Sequence, residues 1–242
     1  MNLPTHTPGV LGALTNPFHL ARIGLWNAVK SIACDVTGTV LDVGCGLCAY
    51  RPLFNQASQY VGLEVPETDW MRASAATALY DGRQLPVGDC SVDFILCNQV
   101  MEHVAEPTKL LSEIHRVLKP DGEILLTVPF LWNEHELPHD YRRWTLGGLQ
   151  QLLLQSGFEV IEARRLTPGG AALAQLLNSA LHHLTRSWPR VFRPLLCPLL
   201  TAPITILGKL LSMMSSKQSP FYLDNFVVAR RRPGQLRETT NG

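Results

Sequence analysis

The 242-residue chain is 46% hydrophobic and 17% charged with a net charge of +1, the balance of a globular protein with ample interior for a core. That charge excludes a dedicated nucleic-acid binder, which carries a basic surplus; Arg230-Arg231-Arg232 reads as a solvated tail. The first residues show no basic segment running into an apolar stretch and a cleavage site, so a cytoplasmic setting with six reduced cysteines is expected.

Residues 1–16, with Pro4, Pro8 and Gly9, read as a loose arm. Over 17–33, Phe18, Ala21, Leu25, Trp26, Val29 and Ile32 recur at helical spacing. Strands are then predicted over 39–42, 60–64, 78–80, 94–97, 124–128, 158–163 and 226–230. Helix-period stretches fall between several of them. The clearest is 108–118, with Leu110, Leu111, Ile114, Val117 and Leu118 on one side and Pro107 before it. Lys119-Pro120-Asp121-Gly122 is expected to end that helix and turn the chain into the next strand. A further helix over 146–156 is stopped by Gly157. Strands alternating with helices imply a largely parallel, doubly wound α/β sheet, which places ligands at the carboxyl ends of its strands.

Residues 168–220 depart from that rhythm. A helical pattern over 171–184 is followed by an almost wholly apolar stretch, 191–211, containing Pro194, Pro198 and Pro203. It has the length of one membrane crossing, yet a last strand at 226–230 obliges the chain to return to the side it left. The expectation is a helix broken by its prolines, a hydrophobic cap that dips into a membrane face or covers a greasy acceptor. Arg186, Arg190, Arg193, Lys209 and Lys217 flank it and favour anionic headgroups, so a membrane surface through 186–217 is the partner considered. The competing reading is a cap with Leu195, Leu199 and Ile206 buried against the domain or in a dimer interface.

The densest chemical signal is Thr39-Val40-Leu41-Asp42-Val43-Gly44-Cys45-Gly46-Leu47-Cys48-Ala49. A strand ending at Gly-x-Gly bends sharply and lets a bulky ligand lie against bare backbone. Glu64 closes the next apolar run 22 positions beyond Asp42, where a βαβ unit hydrogen-bonds ribose hydroxyls. Cys45 and Cys48 form a lone Cys-x-x-Cys without the second pair or matched histidines of a zinc site. Three later features fall at strand ends: Asp81-Gly82 with Leu85-Pro86; Asn98-Gln99-Val100-Met101-Glu102-His103-Val104; and the titratable loop 130–145 with His135, His139, Asp140, Arg142 and Arg143.

In four of these elements, the glycine turn, Glu64, Asp81 with Leu85-Pro86, and Met101-Glu102-His103-Val104, the chain resembles a class I S-adenosylmethionine-dependent methyltransferase, from Val40 to about Val128 and more loosely to Thr145. Lys119-Pro120-Asp121-Gly122 is similar to the family's Lys-Pro-Gly-Gly turn. The resemblance implies a Rossmann-like seven-stranded sheet of order 3-2-1-4-5-7-6, its last strand antiparallel, here with a helical hydrophobic insertion. The implied division is 1–35 arm and helix, 36–167 cofactor-binding core, 168–220 insertion, and 221–242 last strand and tail. It also implies S-adenosyl-L-methionine as cofactor. Asp42, Gly44, Cys45 and Gly46 would meet its amino-acid end, Glu64 the ribose hydroxyls, Asp81 and Gly82 the adenine, and Asn98 and Gln99 the methionyl portion. Cys48 departs from the pattern by taking the place of the usual third glycine. A family subset holds a divalent metal with Glu-x-x-Glu-His; Gln99 in the first position leaves no metal expected here.

For catalysis, His135, His139 and Asp140 are the candidates, one histidine taking a proton from an acceptor hydroxyl. Arg142 or Arg143 would bind an anionic part of the substrate, and Trp132, Tyr141 and Trp144 would line its pocket. The expected reaction is O-methylation of a lipid-linked or apolar acceptor such as a glycolipid, a polysaccharide precursor or a quinone. Two alternatives stay open. Gly44-x-Gly46-x-x-Ala49 also satisfies a dinucleotide fingerprint, which would suit an NAD-dependent oxidoreductase. Cys48 and Gln99 would suit a catalytically silent scaffold of the same fold.

Overall fold

Each apolar run that the sequence marks as a strand is one in the computed structural model, which describes residues 9–66, 75–188 and 193–232. The strands are β1 (Gly38–Val43), β2 (Ala57–Glu64), β3 (Ala78–Leu79), β4 (Val92–Asn98), β5 (Leu118–Pro129), β6 (Phe158–Pro168) and β7 (Tyr222–Arg231). Helices α1 (Val10–Thr15) and α2 (His19–Ala33) precede the sheet; α3 (Pro107–Val117) and α4 (Leu146–Gln155) lie between strands. Helices α5 (Gly170–Thr185) and α6 (Arg193–Met214) separate β6 from β7.

The seven strands form one sheet of order β3-β2-β1-β4-β5-β7-β6. Strand β1 pairs in parallel with β2 and β4, β2 with β3, and β4 with β5. The last strand, β7, runs antiparallel. Its Leu223 carbonyl accepts from Phe130 N at 2.7 Å while its Arg231 reaches the Leu118 carbonyl at the other end of β5. This is the expected topology, and it sets the carboxyl ends of β1, β2 and β4 side by side.

The chain divides into two compact units. The larger comprises Ile32–Val128, Glu134–Arg164 and Asn225–Gly242; the smaller comprises Met1–Ser31, Pro129–Asn133 and Arg165–Asp224. In the larger unit, α3 places Leu110, Leu111, Ile114 and Val117 in a core shared with Leu41, Ile95, Ile124, Leu126 and Val227. The opposite side of α3 is polar: Glu113 accepts from Leu85 N and pairs with Arg116, which also donates to the carbonyls of Leu85 and Val87. That network anchors the irregular segment following β3.

Three elements differ from expectation. Within the stretch read as a loose arm, Val10–Thr15 form helix α1, residues 1–8 lying outside the described residues. Lys119-Pro120-Asp121-Gly122 does not form a turn; β5 begins at Leu118 and absorbs all four residues. A register shift opposite Val92–Phe94 accommodates them, and Lys119 is drawn to Asp93 at 2.7 Å. The expected break in the insertion is also absent, because α6 runs unbroken through Pro198 and Pro203. Thr201 and Thr205 hydroxyls donate to the carbonyls four residues earlier, Cys197 and Thr201, at 3.0 and 2.9 Å.

Truncation of a core contact should therefore outweigh loss of a surface ion pair. Ile114→Ala removes a fully buried side chain and should lower unfolding free energy by about 2–5 kcal/mol. Lys109→Ala breaks only the exposed pair with Glu106 and should cost less than about 1 kcal/mol; urea unfolding of both variants checks the ordering.

Candidate active site

The bend after β1 is held by backbone first. Gly44 N and Cys45 N both donate to the Leu63 carbonyl at the end of β2, at 2.9 and 3.0 Å. Gly44 has φ +69°, and a Cβ there would stand 2.5 Å from a Val100 methyl. Gly46 has φ +51°, and a Cβ on it would meet nothing within 4 Å among the described residues. One glycine is therefore required by close packing, and the other opens a space above the turn.

Glu64 closes this bend. Its buried carboxylate accepts from Gly46 N at 2.8 Å and from Val65 N at 3.0 Å, one bond to each oxygen. Each oxygen retains a further acceptor position. Asp42 is also buried, and its carboxylate accepts the Tyr60 hydroxyl. Burial pushes its pKa up to about 7, the Tyr60 bond opposing and the Glu64 charge adding to the rise. Asp42 thus braces β1 against β2.

Cys45 and Cys48 are free thiols, both buried. A Cβ on Gly62 would lie 2.8 Å from each sulfur, so the pair fills the groove over that glycine. Burial raises both thiols above their ordinary range, the opposite of an activated redox pair. Cys48, with φ +50°, takes the left-handed conformation that the replaced glycine would favour.

Asp81 is exposed and caps its own turn, accepting from Arg83 N and Gln84 N at 2.9 and 3.0 Å. These backbone bonds hold its carboxyl below the usual range. Beside it, Tyr80, Asp81, Gln84, Leu85 and Pro86 line an open cleft of about 510 Å³, and Gly82 has φ +73°. Asn98 and Gln99 both meet Thr127 of β5, at 2.8 and 3.3 Å, so the loop after β4 is tied to the neighbouring strand.

A second constellation joins that loop to the one after β5. Asp140 accepts from Arg143 through both oxygens, at 2.6 and 2.7 Å, and from His135 N at 2.9 Å. Its Oδ2 also lies 3.3 Å from His135 Nδ1. Arg143 and His135 hold the Asp140 carboxyl down near 2 against the opposing effect of burial. Burial lowers the His135 pKa, as does neighbouring His103. The two imidazoles meet edge to face with centroids 4.8 Å apart. His103 Nδ1 lies 2.8 Å from the His139 carbonyl, an arrangement that leaves Nε2 toward Glu102 and Glu136 at 3.9 and 3.7 Å.

Of the three proposed catalytic residues, His135 and Asp140 are brought together. His139 contributes its carbonyl to His103, while its ring turns to Tyr141 at 3.0 Å. The arginines are committed elsewhere than to a substrate anion: Arg142 donates to the carbonyls of Val104 and Ala105, and Arg143 to Asp140. Trp144 packs on the core, and Trp132 belongs to the smaller unit, near Phe18. Glu102 and His103 join the cluster, though neither was among the three residues assigned to catalysis; the signal was the run Glu102-His103 at a strand end, matched by His135 at the next. The ligand atoms of Glu102, His103 and His135 lie within 4.8 Å of one another, a donor set suited to a divalent cation. It keeps Glu102 and His103 of the Glu-x-x-Glu-His pattern and has His135 in place of the first acid, where the sequence has Gln99.

Residues 41–126 match the family model described as methyltransferase domain. The larger unit carries a class I methyltransferase domain. Among curated relatives, an uncharacterized methyltransferase of Mycobacterium tuberculosis is 37% identical over 134 residues, 49% of this chain and 52% of that protein. One from Mycolicibacterium gilvum is 37% identical over 142 residues, 53% and 55% of the two chains. The chain thus spans about half the length of the curated relatives it matches. Among solved structures, the [4+2]-cyclase SpnF superposes with a TM-score of 0.58 at 18% identity, covering 97% of this chain and 99% of its own. A Haloferax volcanii methyltransferase bound to the activator Trm112 gives 0.55 at 18% identity, covering 92% and 95%. These likenesses establish the fold.

The cofactor of this domain is S-adenosylmethionine, and the residues at the bend fit it. Gly46 offers bare backbone under open space, Glu64 offers acceptors for hydroxyls, and the cleft at Asp81 lies at the end of the adjacent strand. A pH experiment isolates the Asp42 brace. A carboxyl whose folded pKa is raised binds its proton more tightly folded than unfolded, so stability falls as pH rises from the unfolded value toward about 7. Asp42→Asn should remove that component, flattening the difference between thermal midpoints of cofactor-free protein at pH 4 and pH 7.

Proposed function

We propose that this protein transfers a methyl group from S-adenosylmethionine to an oxygen of a lipid-linked or otherwise apolar acceptor, with His135 as general base. The observation that carries the reading is the His135–Asp140 contact in the loop after β5. The cofactor, when bound, supplies an already activated methyl group. What the protein adds is alignment, worth roughly 7–11 kcal/mol in favourable cases, and removal of the acceptor proton.

A general base must be unprotonated at working pH and held in one orientation. His135 meets both conditions. Burial lowers its pKa and so favours the neutral imidazole, and Asp140, itself clamped by Arg143, holds the His135 backbone N and stands 3.3 Å from Nδ1 without hydrogen-bonding to it. With Nε2 as the basic nitrogen, the imidazolium formed on proton transfer is stabilised by the Asp140 charge 3.3 Å from Nδ1. The apolar acceptor is supported by the smaller unit, whose α5 and α6 expose leucines and methionines.

The test is transfer of labelled methyl from S-adenosylmethionine into a total lipid extract of the native host. Label should enter the organic phase, and His135→Gln should lower kcat by about 10²–10⁴-fold with cofactor affinity retained. The pH profile of kcat/KM should stay flat through neutrality and fall only below the ordinary imidazole range. Label confined to water-soluble products would remove the lipid-linked acceptor; full activity in His135→Gln would remove the base.

A further inference from the structure

Charge is divided unevenly between the two units. No Asp or Glu occurs between Glu162 and Asp224. The smaller unit carries eight Lys and Arg residues against the single acid Asp224, while the larger carries 19 of the 20 acids and 13 basic residues. The near-zero net charge of the chain hides a strongly cationic part.

Helices α5 and α6 of that part form an antiparallel pair. Gly170 stands against Leu211, Ala174 against Gly208, Asn178 against Thr205 and His182 against Cys197, numbers rising on one helix as they fall on the other. A Cβ on Gly208 would come within 2.4 Å of the Ala174 Cβ, so the backbones approach closely. The seam is made of small and polar residues: Ala174, Asn178, Thr201, Thr205 and Gly208 are buried. Their bonds are largely internal, with Asn178 Nδ2 donating to Thr205 Oγ1 at 2.8 Å and Thr205 donating to the Thr201 carbonyl.

The outward faces are greasy. Leu173, Leu177 and Leu184 on α5 are 56%, 50% and 68% exposed. On α6, Leu199, Leu210 and Met214 are 62%, 57% and 86% exposed. Threonine and asparagine inside with leucine outside inverts the order that water imposes on a helix pair. It is the order found where the surroundings are lipid, with small residues and polar bonds joining the helices.

We propose that the α5–α6 pair is a seat for an anionic lipid bilayer, lying in the interfacial plane. Helix α6 alone has the length and hydropathy of a span, but the pair does not: the 16 residues of α5 span about 24 Å, short of a core of about 30 Å. Cations at both ends fix the orientation. Arg186 follows α5 and Lys209 and Lys217 lie toward the return, all exposed, so both ends of the pair are drawn to headgroups rather than one end inward. Arg190 lies outside the described residues, as do the side chains of Arg193 and Leu195.

Flotation of the purified full chain tests this without turnover, so its failure would leave methyl transfer standing. Vesicles of phosphatidylcholine with phosphatidylglycerol should carry the protein upward, those of phosphatidylcholine alone far less, and added salt should weaken binding. Each of Arg186→Gln, Lys209→Gln and Lys217→Gln should lower affinity for anionic vesicles about fivefold. Leu177→Gln with Leu210→Gln should abolish flotation while leaving the thermal midpoint unchanged, because both side chains are exposed. Failure of the wild type to float on anionic vesicles would overturn the proposal. So would a concentration-dependent dimer in light scattering that the same leucine substitutions dissolve, since a second copy would then cover the face.

Discussion

The bond from Gly46 N to the Glu64 carboxylate is the constraint on which the site depends. It ties the turn after β1 to the last residue of β2, so that a glycine bend and an acid distant in sequence act as one structure. The bond also sets a direction. Glu64 is anchored by two backbone N–H groups, which hold its oxygens at the mouth of the space above Gly46. A buried carboxylate held by two backbone donors is fixed in place, so that accepting hydroxyls would need no reorganisation.

The groups proposed for proton transfer are built on a different principle. Residues 134–145 have no regular secondary structure, and a loop is a poor platform for a base unless something stiffens it. Asp140 supplies the stiffness. It gathers Arg143, the His135 amide and the His135 ring around one buried carboxylate. The loop is fastened to the one after β4 through the His139 carbonyl at His103 and the Arg142 bonds to Val104 and Ala105. The arginines that the sequence offers as substrate ligands are thereby the fasteners that let His135 be placed.

Much of the fold was legible because its strands are short apolar runs ending in glycine or acid, and α3 has an unambiguous apolar stripe. The bend after β1 was legible for the same reason: Gly44, Gly46 and Glu64 sit at strand ends where backbone geometry limits the choices. What was hidden depended on tertiary context. Proline and glycine at 120 and 122 read as a turn, yet edge irregularity in the β4–β5 pairing let them enter a strand. Pro198 and Pro203 read as breaks, yet the packed seam of α6 carried the helix through. Asp42 reads as a ligand-facing acid, but its partner Tyr60 lies on the next strand and could not be paired with it by spacing. The role of His103 was equally hidden, since the carbonyl it meets lies 36 positions away.

The most direct test is calorimetric titration of S-adenosylhomocysteine into wild-type protein and Glu64→Gln. If an adenosyl nucleoside is held at the joined ends of β1 and β2, the wild type binds one equivalent. Glu64→Gln, still able to accept from Gly46 N, should bind at least about tenfold more weakly with its fold intact. A wild type without affinity for the nucleoside, or a Glu64→Gln protein that binds it equally well, would contradict the account.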